Sequence, residues 1–385
     1  MKIAFATTFF TGATLPLILH LQERGHECDL YLFAQQGRTN LETLEFDAPV
    51  SGSRISTLSK SNHIHQYLNQ NININIVPFY TVRNRKYLIG YIPYFKNLFI
   101  INKLLKIIES RKYDFIYIIV NEEHDAILAK ELKRRGYQNG IIAYHEVVKN
   151  HIGEQNLKDV VLETLKLGYP IICHSNHTRE ALLKLIDKES LHSTNVHTIY
   201  FGPFETYQLY DTSERIIKDR YILFIGSIQP YKGLSFLYDT IKQHGIADDI
   251  KVVVAGSGYD ACLDNMRNDK RFIVINRFLS NSEFANLTRY AECIICPYVS
   301  GSQSGITHTA FVYGTPVIAT KVGAFPEFLE DGKNGYLIDY GDETALSSAI
   351  NKIIYKGPIT KDFIPEHLTW EDIVGKLENL LMRRG

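Results

Sequence analysis

The sequence predicts an α/β protein made of two doubly wound domains, each a parallel sheet covered by helices on both faces. Three observations point there. Apolar runs of strand length alternate with amphipathic runs of helix length over nearly the whole chain, the pattern of βαβ units. The alternation falls into two series separated by residues 201–207, FGPFETY, whose Gly and Pro suit a hinge. The 385 residues exceed one ordinary domain and suit two, each large enough to bury its own core.

In the first series, residues 2–6 read as a strand, 15–23 as an amphipathic helix stopped by Gly25, and 28–33 as a second strand. Residues 74–77, 115–120, 140–144, 170–173 and 196–199 continue the strands, with helical stretches such as 125–135 and 156–167 between them. Residues 71–76, NININ I in alternation, extend one of these. The second series places strands at 221–225, 251–255, 272–275, 293–297 and 316–320. Strand series of this kind imply parallel sheets buried on both faces. Residues 368–382 read as a terminal helix with Trp370, Ile373, Val374, Leu377 and Leu381 on one face and Thr369 and Asp372 near its start.

Composition narrows the function classes. Hydrophobic residues make up 45% and charged residues 22%, which is globular. Lys plus Arg equals Asp plus Glu at 42 each, so no global field attracts nucleic acid and an anionic partner must meet a local patch. The five cysteines are few, odd in number and set in apolar runs, as in a reducing cytosol; Cys293 and Cys296 lie three apart in an extended run and read as core residues. The start reads as a first strand, not a signal peptide, because Thr7, Thr8, Thr11 and Gly12 interrupt it. No uncharged stretch is continuous enough to span a bilayer. His63/His65 and His174/His177 lack a zinc-ligand pattern and read as capping, turn or solvent-facing residues, and the chain contains no Asp-x-Asp; no metal is assigned.

Three segments carry the chemistry. In 296–320, CPYVSGSQSGITHTAFVYGTPVIAT, a small-residue turn opens a short helix that Gly314 and Pro316 close. Free N–H groups around Ser304, Gly305 and Ile306 and the helix dipole make an anion site suited to phosphate. In 222–233, ILFIGSIQPYKG, a strand and turn lead to Lys232 and Gly233 at a helix start, where a lysine can reach a diphosphate. The segment 322–338 follows the strand that ends the first one.

Together these segments resemble the C-terminal half of retaining glycosyltransferases with the GT-B fold, of glycosyltransferase family 4, or "glycosyl transferases group 1", type. The resemblance covers nearly the whole chain and is strongest over 222–350. It implies two Rossmann-like domains facing across a cleft: 1–203 binding the acceptor, 204–365 binding a nucleotide sugar, and 366–385 a helix returning to the N-domain. It implies retention by front-face attack, without a protein nucleophile, metal or other cofactor. Positive charge at the departing diphosphate is then the main catalytic requirement.

For individual residues the resemblance assigns Lys232 and His145 to catalysis. Donor contacts fall to Ser302, Gln303, Ser304, Gly305, Ile306, Thr307 and Thr309, to Ser227 where relatives carry an arginine, and to Arg277 and Phe278 in the base loop. Gly12 and Ala13 match the small-residue loop after the first strand. His145 reads equally well as a structural histidine, and Lys232 as a solvated turn lysine. The family's two glutamates are replaced by Gly301 and Thr309, so a non-catalytic homologue that binds a nucleotide or glycan is the alternative to an enzyme. Between residues 61 and 115, eight Lys or Arg against two acidic residues, interleaved with aromatics, suit an anionic membrane surface as well as a solvated helix face. The expected partners are a nucleotide sugar such as a UDP- or GDP-sugar and a glycan or lipid-linked acceptor. The expected location is the cytoplasm, including the inner face of the membrane.

Overall fold

Strands and helices alternate into two separate sheets in the computed structural model, which describes residues 1–68, 72–80, 91–147, 156–191, 195–356 and 363–383. The chain divides into one unit of Met1–Phe201 with Trp370–Gly385 and a second of Gly202–Thr369.

The first unit runs β1 (Lys2–Thr7), α1 (Thr11–Glu23), β2 (Glu27–Gln35), β3 (Asn40–Leu41), β4 (Leu44–Glu45), β5 (Ser56–Thr57), β6 (Asn73–Phe79), α2 (Tyr91–Arg111), β7 (Phe115–Ile119), α3 (Glu123–Arg134), β8 (Gly140–Tyr144), α4 (Asn156–Leu165), β9 (Ile171–Cys173), α5 (Asn176–Lys188) and β10 (Val196–Thr198). Its sheet has the order β10-β9-β8-β7-β1-β2-β6-β5, parallel except where β5 meets β6. The central strands are apolar on both faces because helices cover both, and residues 3–6 and 30–34 are buried throughout. β3 and β4 form a separate antiparallel hairpin.

The second unit runs β11 (Arg220–Ile225), α6 (Leu234–His244), β12 (Ile250–Ala255), α7 (Leu263–Arg267), β13 (Phe272–Ile275), α8 (Asn281–Tyr290), β14 (Cys293–Cys296), α9 (Gly305–Tyr313), β15 (Val317–Thr320), α10 (Phe325–Phe328), β16 (Gly335–Ile338) and α11 (Glu343–Lys356). All six strands are parallel, in the order β13-β12-β11-β14-β15-β16. Order reverses at β11, so the turns after β11 and β14 sit side by side at the switch point where ligands collect in such sheets.

The last helix, α12 (Trp370–Met382), buries Trp370, Ile373, Val374, Leu377 and Leu381, each worth about 1.5–3 kcal/mol for a fully buried side chain. It lies on α1: Trp370 stacks with His20 at 5.6 Å, and Glu378 accepts hydrogen bonds from Arg24 and His26, both at 2.7 Å.

Two local expectations change. His65 and His174 are buried, not turned to solvent; His174 lies 3.7 Å from the Phe201 ring, and its Nδ1 is 2.8 Å from the Ile199 carbonyl. The helix begun at residue 15 in the sequence reading starts at Thr11, so Gly12 and Ala13 are helical and buried and do not form a loop. All five cysteines are buried and free. Among the described residues no helix is long and apolar enough to cross a membrane, and no group of three His, Cys, Asp or Glu is placed to hold a metal ion.

Candidate functional site

The turn after β11 and the loop after β14 are joined backbone to backbone. Val299 N–H donates to the Tyr231 carbonyl at 2.8 Å, and a Cβ on Gly233 would stand 1.9 Å from the Pro297 oxygen. Gly233 also has φ +66°, so only glycine suits this crossing. Gly226, at φ +112°, leaves the room beyond β11: a Cβ there would meet Ile306 Cδ1 at 3.2 Å and Lys232 Nζ at 3.8 Å. Lys232 and the first turn of α9 therefore share one place.

At that place the N–H groups of Gly305 and Ile306 make no hydrogen bond among the described residues, and the Ser304 side chain does not cap them. The Thr307 hydroxyl is buried without a partner. Lys232 Nζ donates to Tyr298 Oη at 3.0 Å, lies 4.6 Å from the centre of that ring, and forms no ion pair among the described residues. Tyr298 Oη is also 3.4 Å from Ser304 Oγ. Burial pushes the Lys232 pKa below the usual lysine value. It pushes the Cys296 thiol up to about 12 and the Tyr298 phenol well above its usual value, so neither supplies negative charge near neutrality. The site combines unpaired amides, a helix N-terminus and one ammonium without a carboxylate, a combination that favours an anion.

The remaining residues of the second unit fall around this centre unevenly. Ser302 is buried and its carbonyl accepts from Ala324 N–H at 2.8 Å, which ties the 301–304 loop to the turn after β15. Gln303 is half-buried beside it in sequence, and Ser227 is exposed. Thr309 is one turn into α9, buried, and its hydroxyl donates to the Gly305 carbonyl at 3.1 Å, so that hydrogen is not available to a ribose. Arg277 is engaged in two hydrogen bonds to Glu283, whose carboxylate also closes the capping box of α8; Phe278 is 81% exposed.

In the first unit, the turn after β1 meets the 39–46 hairpin. Glu42 Oε1 accepts from Phe10 N–H at 2.9 Å, and Oε2 accepts from Gly12 N–H at 3.3 Å and Thr11 Oγ at 3.2 Å. Ala13 N–H donates to the Phe10 carbonyl at 3.1 Å. The Gly12 and Ala13 backbone N–H groups, expected beside a donor, are thus used internally. Phe10 takes φ +69° to make this turn, a strained conformation for a large residue. His145 follows β8, with its ring 4.4 Å from Phe10 and 5.9 Å from Phe201, and burial lowers its pKa to about 4, so it is a neutral imidazole at pH 7.

Nearby in sequence order, Thr8 bonds to His124 Nε2 at 2.6 Å and to Asp125 Oδ1 at 3.0 Å. Asp125 also accepts from Asn121 and Glu122 N–H groups at 3.0 and 2.8 Å. Burial raises the Asp125 pKa to about 7 against these hydrogen bonds and lowers that of His124 to about 3. This trio, Glu42 and Tyr298 are not among the residues expected from the sequence. Tyr298 had a signal, an aromatic two residues after a strand end and two residues before the small-residue turn; Glu42 had none.

The second unit thus has an open helix start and one ammonium at its strand switch point. Residues 219–356 match the family described as glycosyl transferases group 1. The chain is 29% identical over 152 residues to a phosphatidyl-myo-inositol mannosyltransferase of Mycobacterium leprae, 37% of this chain and 39% of that protein. The matched region thus spans about two fifths of that relative's length. Among solved structures, Anabaena Alr3699/HepE in complex with UDP-glucose covers 100% of this chain and 95% of its own, with TM-score 0.59 and 16% identity. A trehalose-6-phosphate protein from E. coli bound with UDP-2-fluoro glucose covers 100% and 96%, with TM-score 0.64 and 10% identity. The protein has the GT-B fold, and residues 219–356 of its second unit carry the group 1 sequence pattern.

Proposed function

We propose that the protein is a retaining, metal-independent glycosyltransferase that moves a sugar from a nucleoside-diphosphate donor to a glycan or lipid-linked acceptor in cell-surface polysaccharide synthesis. The observation that supports it most is the Lys232 ammonium, half-buried without a carboxylate beside the unpaired amides of α9. An ammonium partly removed from water without a counter-ion is stabilised by an anionic ligand. The sugar–phosphate bond breaks with negative charge growing on the diphosphate, and a preorganised ammonium and helix start oppose that charge most in the transition state. UDP- and UDP-glucose-bound neighbours support a uridine nucleotide as the first donor to try.

A membrane-linked acceptor is part of this reading. On α2, Ile92, Phe95 and Phe99 are 55, 63 and 55% exposed, with Lys96 beside Tyr80 and Lys103 over Phe99, a basic and aromatic face suited to anionic lipid. Arg83, Arg85 and Lys86, which contribute to the same basic stretch, lie outside the described residues.

Thermal shift with UDP and GDP, with and without EDTA, tests the donor half. A ligand at one hundred times its dissociation constant adds about 2.7 kcal/mol, and EDTA leaves that gain in place. No shift with any nucleoside diphosphate, or a strict need for divalent metal, refutes the reading. Thr309, whose hydroxyl is bonded back into α9, supports a second reading as a non-catalytic binding subunit. Nucleotide binding without donor hydrolysis or transfer to any acceptor would select it.

A further inference from the structure

We propose that Tyr298 is a positioning residue of the anion site, its neutral hydroxyl holding the Lys232 ammonium in place and leaving the full positive charge for a ligand. A free lysine on a turn samples many rotamers. Here the ammonium donates to Tyr298 Oη at 3.0 Å and sits 4.6 Å from the ring centre, where the negative face of the aromatic also attracts it. Tyr298 itself is fixed. It is 3% exposed, its ring meets Phe325 at 5.3 Å, and its carbonyl accepts from Thr320 Oγ at 2.6 Å. Because its hydroxyl is also 3.4 Å from Ser304 Oγ, the residue before α9, one side chain connects the ammonium to the helix start.

The choice of partner has a consequence. A carboxylate would hold the lysine equally well but would cancel its charge and repel an incoming anion. A phenol supplies a hydrogen bond and a ring quadrupole with no net charge. The groups facing Lys232 are Tyr298 and Cys296 at the end of β14, the Tyr231 ring 5.9 Å away on its own turn, and Ser304 beyond Tyr298, none of them acidic. The ammonium would therefore lose its main counterweight to burial if the hydroxyl were removed.

The test is Tyr298→Phe, which keeps the ring and removes one oxygen. Competitive acylation of amines by acetic anhydride across pH, with the Lys232 peptide quantified by mass spectrometry, reads the lysine titration without any nucleotide. A hydrogen bond to a charged group is strong enough that its loss lowers the midpoint by about one unit or more. Superimposable curves for wild type and variant overturn the proposal. Tyr298→Gln returns a neutral acceptor and restores the wild-type midpoint; it also decides the question if the phenylalanine variant does not fold, since a midpoint lowered by a unit in Tyr298→Gln counts against the proposal.

Inorganic pyrophosphate affinity adds a second arm, which rests on the function proposed above. Binding needs the ammonium, so it falls as pH rises through the Lys232 midpoint. Wild type and Tyr298→Phe bind alike at acid pH, and the variant binds about tenfold more weakly on the alkaline side. Weakening by the same factor at every pH would mean a merely structural role. If wild type binds no pyrophosphate at any pH, the proposed function fails while the acylation curves still decide the role of Tyr298.

Discussion

Two helix starts, one in each unit, follow a parallel strand in the same way and end up with opposite chemistry. In the first unit the start of α1 receives the chain's own carboxylate, Glu42, on the N–H groups of Phe10 and Gly12. In the second the start of α9 keeps the Gly305 and Ile306 amides unpaired and has an ammonium nearby. The helix dipole is the same in both. What separates them is whether the fold supplies an internal anion or leaves the position for an external one, so a helix start becomes an anion site only when the chain declines to fill it.

The open start depends on glycines that let backbones touch, and breaking one has the largest expected effect. Gly256 has φ +141°, and a Cβ there would stand 1.8 Å from the Gly226 oxygen, a backbone atom that cannot step aside. Gly256→Ala should cost about 3 kcal/mol or more, through strain and through displacement of the turn that carries Lys232. A denaturant melt reads this. Gly301→Ala is the contrast, because its Cβ would have only Tyr298 Cδ2 within 4 Å, at 3.7 Å; an equal loss in both variants would mean that space is not what these glycines provide.

Lys232→Ala leaves the fold and removes the charge. Turnover with a nucleotide-sugar donor should fall about a hundredfold or more, by comparison with the loss of one preorganised group that opposes transition-state charge. Nucleotide affinity should fall less, since the charge grows as the bond breaks. Steady-state kinetics with parallel calorimetry separate the two. Unchanged turnover would remove Lys232 from the reaction.

How much of this contrast could be read from sequence follows from the range of each interaction. The strands and most helices announce themselves by local periodicity, and the α9 start by a run of small residues, because both signals sit within a dozen positions. Arg277 was readable too, since Ser280-x-x-Glu283 is a capping box and the arginine lies one turn before it. Glu42 was not: its partners are about 30 positions earlier, across a hairpin whose two-residue strands carry no periodic signal. The buried His124–Asp125–Thr8 trio was hidden for a different reason, because charged residues near a helix start read as solvated.

That trio gives the first unit a pH signature of its own, in the acid range. Asp125 ionises at about 7 in the fold and near 3.8 when exposed, so between these values the folded state binds more protons and stability falls as pH rises. His124 titrates at about 3 in the fold and near 6.5 when exposed, so over that window the unfolded state binds more protons and stability rises with pH. Between about pH 4 and 6.5 the two slopes oppose each other and largely cancel. Asp125→Asn keeps the shape and removes the falling slope, so its stability should climb across that range while wild type stays nearly level. Parallel curves from equilibrium urea melts would mean that Asp125 is ionised in the fold.

The smallest effect addresses the closed start itself. Glu42→Ala takes a carboxylate from three hydrogen bonds at the first turn of α1, but the residue is exposed, so the loss should be about 1 kcal/mol. The informative quantity is what restores it. With its internal anion gone, α1 offers the Phe10 and Gly12 amides to solvent, and inorganic phosphate at low ionic strength should raise the melting temperature of Glu42→Ala more than that of wild type. Lys232→Ala as a common background removes the second-unit contribution, so that the difference belongs to α1. If phosphate moves Glu42→Ala and its parent equally in that background, Glu42 is only a cap, and the two helix starts differ by less than their hydrogen bonds suggest.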